Sequence, residues 1–291
     1  MSYTLSTDTS CDIFRSELRA RNIEYRPLIY TIDDVPHFDE CTTDADYKAF
    51  YELIRAGKMP TTSQINVIEH EEYFTELCEK HDGDIVHLTL SSGLSSTYES
   101  ACLAAKNVNE KYGNRVYVVD SLGATVVQRI VVDEAERLRD CGMGAAEAVE
   151  VIKDFIAHVH VWFMPTDLMH LKRGGRVSGA SAVIGTALNI KPILIINKNG
   201  GLSVVAKKIG VTKGMNYMLD MFKEYQADCT SKAKVYIPSC DSEYAQEMKQ
   251  KLKAIRPDCE VEIGWVGPVI GAHTGANMFG VCLLSDRVRE Q

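Results

Sequence analysis

The chain has 291 residues, 45% hydrophobic and 25% charged, with a formal net charge of −8. That length supports a substantial core and two units rather than one. The acidic balance argues against the basic stripe that a nucleic-acid surface needs, so no nucleic-acid partner is expected; the best local basic patch is HLKRGGR (His170–Arg176).

The start, MSYTLSTDTSCD, lacks a charged segment followed by an apolar run, so it does not read as a secretory signal. No stretch reaches the roughly 18 apolar residues of a membrane span. A cytoplasmic protein is expected. The nine cysteines are scattered singly with no C-x-x-C pair, which reads as small buried thiols rather than a disulfide framework or a zinc site.

In chain order, YTLSTDTS opens as a strand and DIFRSELRARN (Asp12–Asn22) as a helix. IEYRPLIYTID reads as one second strand. DADYKAFYELIRAG is a helix with Asp44 as its cap, and EEYFTELCEKHDG is another, stopped by Gly83. The strand DIVHLTL then breaks into SSGLSSTYESA, which leads into a helix ending at Gly113. RVYVVDS is a buried strand followed by two helices, the first running to Cys141. This alternation predicts an α/β layer with a mostly parallel sheet flanked by helices. Ligands of such sheets gather at the carboxyl ends of strands. Three of those ends, STDTS, TLSSGLSS and VDSLG, are polar alike and are expected to share one rim.

After about residue 158 the texture changes. HVHVWFMP is a strand, and TDLMHLKRGGRVSGASAVIGTALN is two helices around a Gly-Gly break. IKPILIINKNGGLSVVAKKIG is a hairpin around Asn199–Gly200–Gly201. Further helix and strand segments follow, then glycine-rich GPVIGAHTGANMFG and a last strand. The expected organisation is an N-terminal α/β domain over 1–157 and a smaller C-terminal α+β domain over 158–291.

Several chemistries are excluded or weak. No G-x-x-x-x-G-K-[ST] string occurs, and the first strand is not followed by G-x-G-x-x-G. His158 and His160 share a strand face without a third ligand nearby, so no metal is expected. Gly93–Thr97 has the first half of a G-x-S-x-G nucleophile elbow, with Thr97 replacing the last glycine. An esterase using Ser92 or Ser95 with His273 as base is therefore the alternative reading. Against it, a nucleophile needs one privileged serine, and this loop offers several hydroxyls. Clustered hydroxyls and free backbone N–H groups at a helix start suit an anion. PTTSQ (Pro60–Gln64), also placed before a helix, and the histidine of GAHTGA complete a candidate carboxylate pocket.

With TDTSCD, PTTSQ, SSGLSSTYESA, VVDS, LKRGGRVS, IKPIL and GPVIGAHTG in this order, the whole chain resembles the DegV family. These are bacterial fatty-acid-binding proteins that serve as the FakB-type subunit of fatty acid kinase. The resemblance implies an N-terminal domain of the EDD type, a smaller C-terminal α/β domain, and a long-chain fatty acid in a tunnel. It places the carboxylate on Thr62, Ser92 and His273, supported by Ser63, Ser91, Gly93, Arg176 and Thr274. It implies a carrier rather than an enzyme, with no cofactor of its own. A partner kinase subunit would phosphorylate the bound carboxylate to an acyl phosphate, with transient contact to a membrane surface. The sequence departs from the family pattern at Ser96, Ala272 and Ala276–Asn277. Ile209 stands where a K-x-R segment of the basic docking surface usually has arginine.

Overall fold

The computed structural model describes all residues except 1, 2, 41, 167, 177–188, 227–233, 290 and 291. Cys41 and Cys229, and most of the second helix expected after Gly175, therefore lie outside the described residues.

The first part of the chain runs β1 (Thr4–Asp8), α1 (Arg15–Ala20), β2 (Ile23–Arg26), β3 (Ile29–Ile32), β4 (Val35–Phe38), α2 (Asp44–Arg55), β5 (Thr61–Ser63) and α3 (Val67–Lys80). It continues with β6 (Ile85–Thr89), α4 (Thr97–Tyr112), β7 (Val116–Asp120), α5 (Val126–Asp140) and α6 (Ala145–Ile156). The order β2-β1-β6-β7 makes a four-stranded, wholly parallel sheet. Alternation along β6 sends Val86 and Leu88 into the cluster shared with α5 and α6, and Ile85 into the cluster shared with α3 and α4. Both faces are covered, which explains why all five β6 residues are buried. Because β1, β6 and β7 are adjacent and parallel, the polar ends named above do share one rim.

The remaining chain gives β8 (Val159–Met164), α7 (Leu168–Gly174), β9 (Ile190–Ile196), β10 (Leu202–Ile209), α8 (Val211–Gln226), β11 (Lys234–Ser239), α9 (Tyr244–Ile255), β12 (Glu260–Trp265), α10 (Pro268–Thr274) and β13 (Phe279–Leu284). Its six-stranded sheet has the order β10-β9-β8-β13-β11-β12, antiparallel except between β11 and β12. One face packs Val161, Phe163, Leu194 and Ile196 against Val126, Val127 and Ile130 of α5. The other packs Trp162, Met164 and Ile193 under α8 and α9. The first face places the site, because it closes the sheet against the parallel rim.

Four local expectations change. IEYRPLIYTID is two strands, not one. Pro27 has no N–H, and the following Leu28 N–H is taken by Thr9 Oγ1 at 3.0 Å, so pairing with β1 ends at Arg26. The chain then forms the centre of a separate antiparallel sheet, β4-β3-β5. PTTSQ supplies β5 rather than a helix cap; the cap of α3 is Asn66, reciprocated by Glu69. Thr43, not Asp44, caps α2, because its hydroxyl and the Asp46 carboxylate close a capping box. Glycine-rich GPVIGAHTG is largely helix α10, with Pro268 in its first turn and Gly275 just past its end.

Candidate functional site

The hydroxyl loop after β6 is held mainly by backbone groups. Leu90 N–H donates to Asp8 Oδ2 at 2.6 Å, while Asp8 Oδ1 accepts from Ser10 N–H at 3.0 Å and Gln128 Nε2 at 3.1 Å. Burial pushes the Asp8 carboxyl up, and these donors oppose the shift. Ser92 N–H points at the Asp120 carboxylate, 3.2 and 3.3 Å from its two oxygens, and Leu122 N–H donates to the same group at 2.8 Å. Two carboxylates from neighbouring strand ends thus grip the turn. Helix α4 starts only at Thr97. Ser91, Ser92 and Ser95 therefore precede the helix start, and Ser96 occupies the cap position without a side-chain cap bond.

The tip of the β9–β10 hairpin docks on this loop. Ser91, fully buried, donates its hydroxyl to Gly200 O at 2.9 Å. A Cβ on Gly93 would lie 2.4 Å from Gly200 C and Gly201 N, and one on Gly200, whose φ is +75°, would lie 2.0 Å from Ser91 Oγ. Glycine at both positions lets two backbones meet.

The facing wall comes from β5, α7 and α10. Thr62 Oγ1 and His273 Nε2 are 2.8 Å apart. Burial, with Arg176 and His170 nearby, pushes His273 down to about 4, so the imidazole is neutral at neutral pH. A Cβ on Gly174 would sit 2.3 Å from His273 Nδ1, so the first glycine of the Gly174–Gly175 pair clears room for the ring. Arg176 joins the walls: its Nε donates to Leu94 O at 3.2 Å and its Nη1 to Gly174 O at 2.5 Å. Beneath α10, Thr274 Oγ1 lies 3.2 Å from Cys240 Sγ, and Tyr51 OH donates to Val266 O at 2.5 Å.

Between the walls lies a cavity of about 400 Å³. Leu28, Val127, Phe163, Leu171, Ile196 and Met278 give it an apolar lining, and Thr62, Ser63, Ser92, Arg176, His273 and Thr274 also line it. Ser91 and Gly93 do not face it; they seat the hairpin. Sequence reasoning passed over Gln64 and Leu94, which line the cavity, and the anchoring roles of Asp8, Asp120 and Gly200. Asp8 and Asp120 stood in quoted motifs, each at a polar strand end.

The geometry gives the esterase reading no support. Among the described residues neither Ser92 nor Ser95 bonds His273, whose Nε2 faces Thr62, and no carboxylate bonds the ring. His158 and His160 are tied to the carbonyls of Ser285 and Arg287 at 3.1 and 2.9 Å. No group of three or more His, Cys, Asp or Glu that could hold a metal occurs among the described residues, and none of their helices is long and apolar enough to cross a membrane.

Residues 3–286 match the family described as "Uncharacterised protein, DegV family". The chain is 33% identical over 289 residues to a DegV domain-containing protein of Clostridium perfringens, with 98% of each chain covered. It is 28% identical over 285 residues to the protein DegV of Bacillus subtilis, covering 97% of this chain and 99% of that one. Among solved structures, a Thermus thermophilus DegV family protein described by its fatty acid binding superposes with a TM-score of 0.86 at 27% identity, covering 98% of this chain and 100% of that one. Bacillus subtilis DegV, described as a fatty acid binding protein, gives 0.84 at 26% identity, covering 98% and 100%.

Proposed function

The chain belongs to the DegV family, and on that premise we propose that it binds one long-chain fatty acid in this cavity. The carboxylate lies at Thr62, Ser92 and His273, with Arg176 beside it. The observation that carries the reading is an apolar cavity of about 400 Å³, within the range of about 300–1,000 Å³ usual for small-ligand sites, with hydroxyls and a neutral imidazole converging on it. Related proteins described as binding fatty acids support the same reading.

The energetics suit such a ligand. Burying a methylene contributes about 0.8 kcal/mol, so a dozen give on the order of 10 kcal/mol before ordering costs. Hydrogen bonds to a charged head group add roughly 1.5–3 kcal/mol each. Native mass spectrometry of the purified protein should show a bound long-chain fatty acid. Ser92→Ala and His273→Ala should each weaken palmitate binding by about tenfold or more while the fold persists. Recovery of no lipid together with no binding on titration would overturn the proposal; wild-type affinity in both variants would overturn the head-group assignment.

The finer reading is that the bound acid is presented to a partner kinase subunit and phosphorylated there, after transient contact with a membrane surface. Support comes from exposure: Ser63, Gln64 and Arg176 are exposed beside the head-group residues. The sequence also lacks a G-x-x-x-x-G-K-[ST] string, which fits a partner that brings the nucleotide. Acyl phosphate, trapped with hydroxylamine after incubation with a kinase subunit and ATP, is the expected product. Its absence from lipid-loaded protein that still binds the subunit would refute this step.

A further inference from the structure

The large cavity holds one polar group that a carboxylate at Thr62, Ser92 and His273 does not account for. Thr125 lines it beside Ala124 and Val127, where the chain enters α5. Its N–H donates to Ser10 O at 2.6 Å and fixes the main chain. The residue occupies the cap position of α5, yet its hydroxyl makes no cap bond, and no other partner for it occurs among the described residues. Its oxygen is not sealed off, unlike the unpartnered carboxylate oxygens of Asp12 and Asp39. With only 7% of the residue exposed, that oxygen opens on the cavity.

The other lining hydroxyls differ. Thr62 faces His273, Ser95 faces Thr97, and Thr274 donates to Ile270 O at 3.2 Å. Ser92 belongs to the head-group wall, and Ser63 and Ser96 are exposed. Position separates Thr125 from that wall as well. Gly123 O still accepts from Ser91 N–H at 2.9 Å, beside the hydroxyl turn. Three residues on, Val126 packs against Gly264 of β12, where a Cβ would lie 2.7 Å from Val126 Cγ1. Strands β12 and β10 are opposite edges of the six-stranded sheet. Thr125 thus stands where the chain turns from the head group toward the apolar lining. Its φ of +56° and ψ of −133° lie in a region that β-branched residues rarely enter, and strain of this kind collects at ligand sites.

We propose that this hydroxyl reads an oxygen on the acyl chain, so that the preferred ligand is a hydroxylated long-chain fatty acid; the inference rests on the fatty-acid reading above. A saturated chain laid along the start of α5 covers Thr125 with methylenes and leaves its hydroxyl desolvated and unpaired. A hydroxyl on the chain both donates and accepts, and so satisfies it. A site built to pair a hydroxyl disfavours the analogue that lacks one.

The probes are stearate and a series of hydroxystearates differing only in hydroxyl position, titrated by calorimetry into the full chain stripped of lipid. At least one mid-chain hydroxystearate should bind about tenfold more tightly than stearate. Thr125→Val keeps the branched shape and removes the hydroxyl. It should bring that ratio to about one, in part by tightening stearate. Thr125→Ser, which keeps the hydroxyl, should retain the preference, and Thr125→Ala replaces the valine variant if that one does not fold. Stearate binding with no hydroxystearate preferred would overturn this inference and leave the fatty-acid reading standing. Failure of every probe to bind would overturn both. An undiminished preference without the hydroxyl would overturn the role of Thr125. Equal weakening of stearate and hydroxystearate in Thr125→Val would overturn it too, by placing Thr125 at the head group.

Discussion

The Leu90–Gly93 wall of the large cavity is held by main-chain N–H groups donating to Asp8 and Asp120 and by glycines meeting across the hairpin tip. The facing wall, Thr62 with α10, is joined by a side-chain pair, Thr62 and His273. The first wall contains no group that titrates near neutrality at its cavity surface; the second ends in an imidazole held neutral by burial. A rigid wall fixes where a head group can sit, and a titratable wall decides how the head group is received. Substitutions should separate these roles, since damage to the first wall should appear as lost folding stability and damage to the second as altered binding or pH response.

The largest effect is expected at Asp8. Asp8→Ala strands the Leu90 and Ser10 N–H groups and the Gln128 amide inside the protein, a loss of about 3–5 kcal/mol by analogy with breaking other buried charged networks. Urea unfolding measures it, and a loss below about 1 kcal/mol would show that the turn is anchored elsewhere. Gly93→Ala comes next. Its Cβ would meet main-chain atoms of Gly200 and Gly201 at 2.4 Å, so backbone must move, at a cost of roughly 1–3 kcal/mol. If the variant is as stable as the wild type, the hairpin tip lifts freely and the wall is not locked.

How far the sequence foretold each wall follows from the same contrast. The first was legible where chemistry is local: an apolar strand breaking into serines, and Asn199–Gly200–Gly201 marking the hairpin. The docking of Gly93 on Gly200 left no local sign, because the two glycines are distant in sequence and each alone reads as an ordinary turn. The second wall was harder. Helix α10 has seven residues, too few to display a 3.6-residue period, although Pro268 and Gly275 were valid start and stop signals. PTTSQ was misplaced because hydroxyls before a helix look like a cap; Asn66 and Glu69 took that role, which left Thr61–Ser63 to pair with β3. His273 could be picked out by residue type, but its partner, Thr62, became visible only when β5 was placed beside α10.

The titratable wall makes a prediction in pH. His273 is lowered from 6.5 to about 4 in the folded protein, so between those values the unfolded chain binds more protons. Its contribution is thus fully present above pH ~6.5 and is lost as pH falls toward ~4. Buried His70 and His160, also pushed down to about 4, act in the same direction. Asp39, raised to about 7, acts oppositely, favouring the folded state at low pH and losing that contribution as pH rises through its window. Comparing His273→Gln with wild type at each pH cancels those other groups. The variant should lose stability less steeply on acidification, by up to about 1.4 kcal/mol per pH unit near pH 5. Parallel curves would mean that the ring is free to protonate in the folded state.

The smallest effect is the most diagnostic of how the second wall works. Thr62 and His273 share one hydrogen bond of 2.8 Å, so Thr62→Val should cost only about 0.5–1.5 kcal/mol of stability, and Thr62→Ser, which keeps the hydroxyl, should stay within about 0.5 kcal/mol of wild type. If the pair acts as a unit, removing both partners should cost less than the two single losses together, by about 0.5 kcal/mol or more. The same cycle repeated on palmitate affinity asks whether a carboxylate is received by the pair or by two independent donors. Coupling in both cycles would mean that the contact pre-orients the imidazole before the ligand arrives. Coupling in stability but simple additivity in affinity would mean that the ligand breaks the contact and engages each side chain separately. That outcome would turn the second wall from a preformed receptor into one that rearranges on binding.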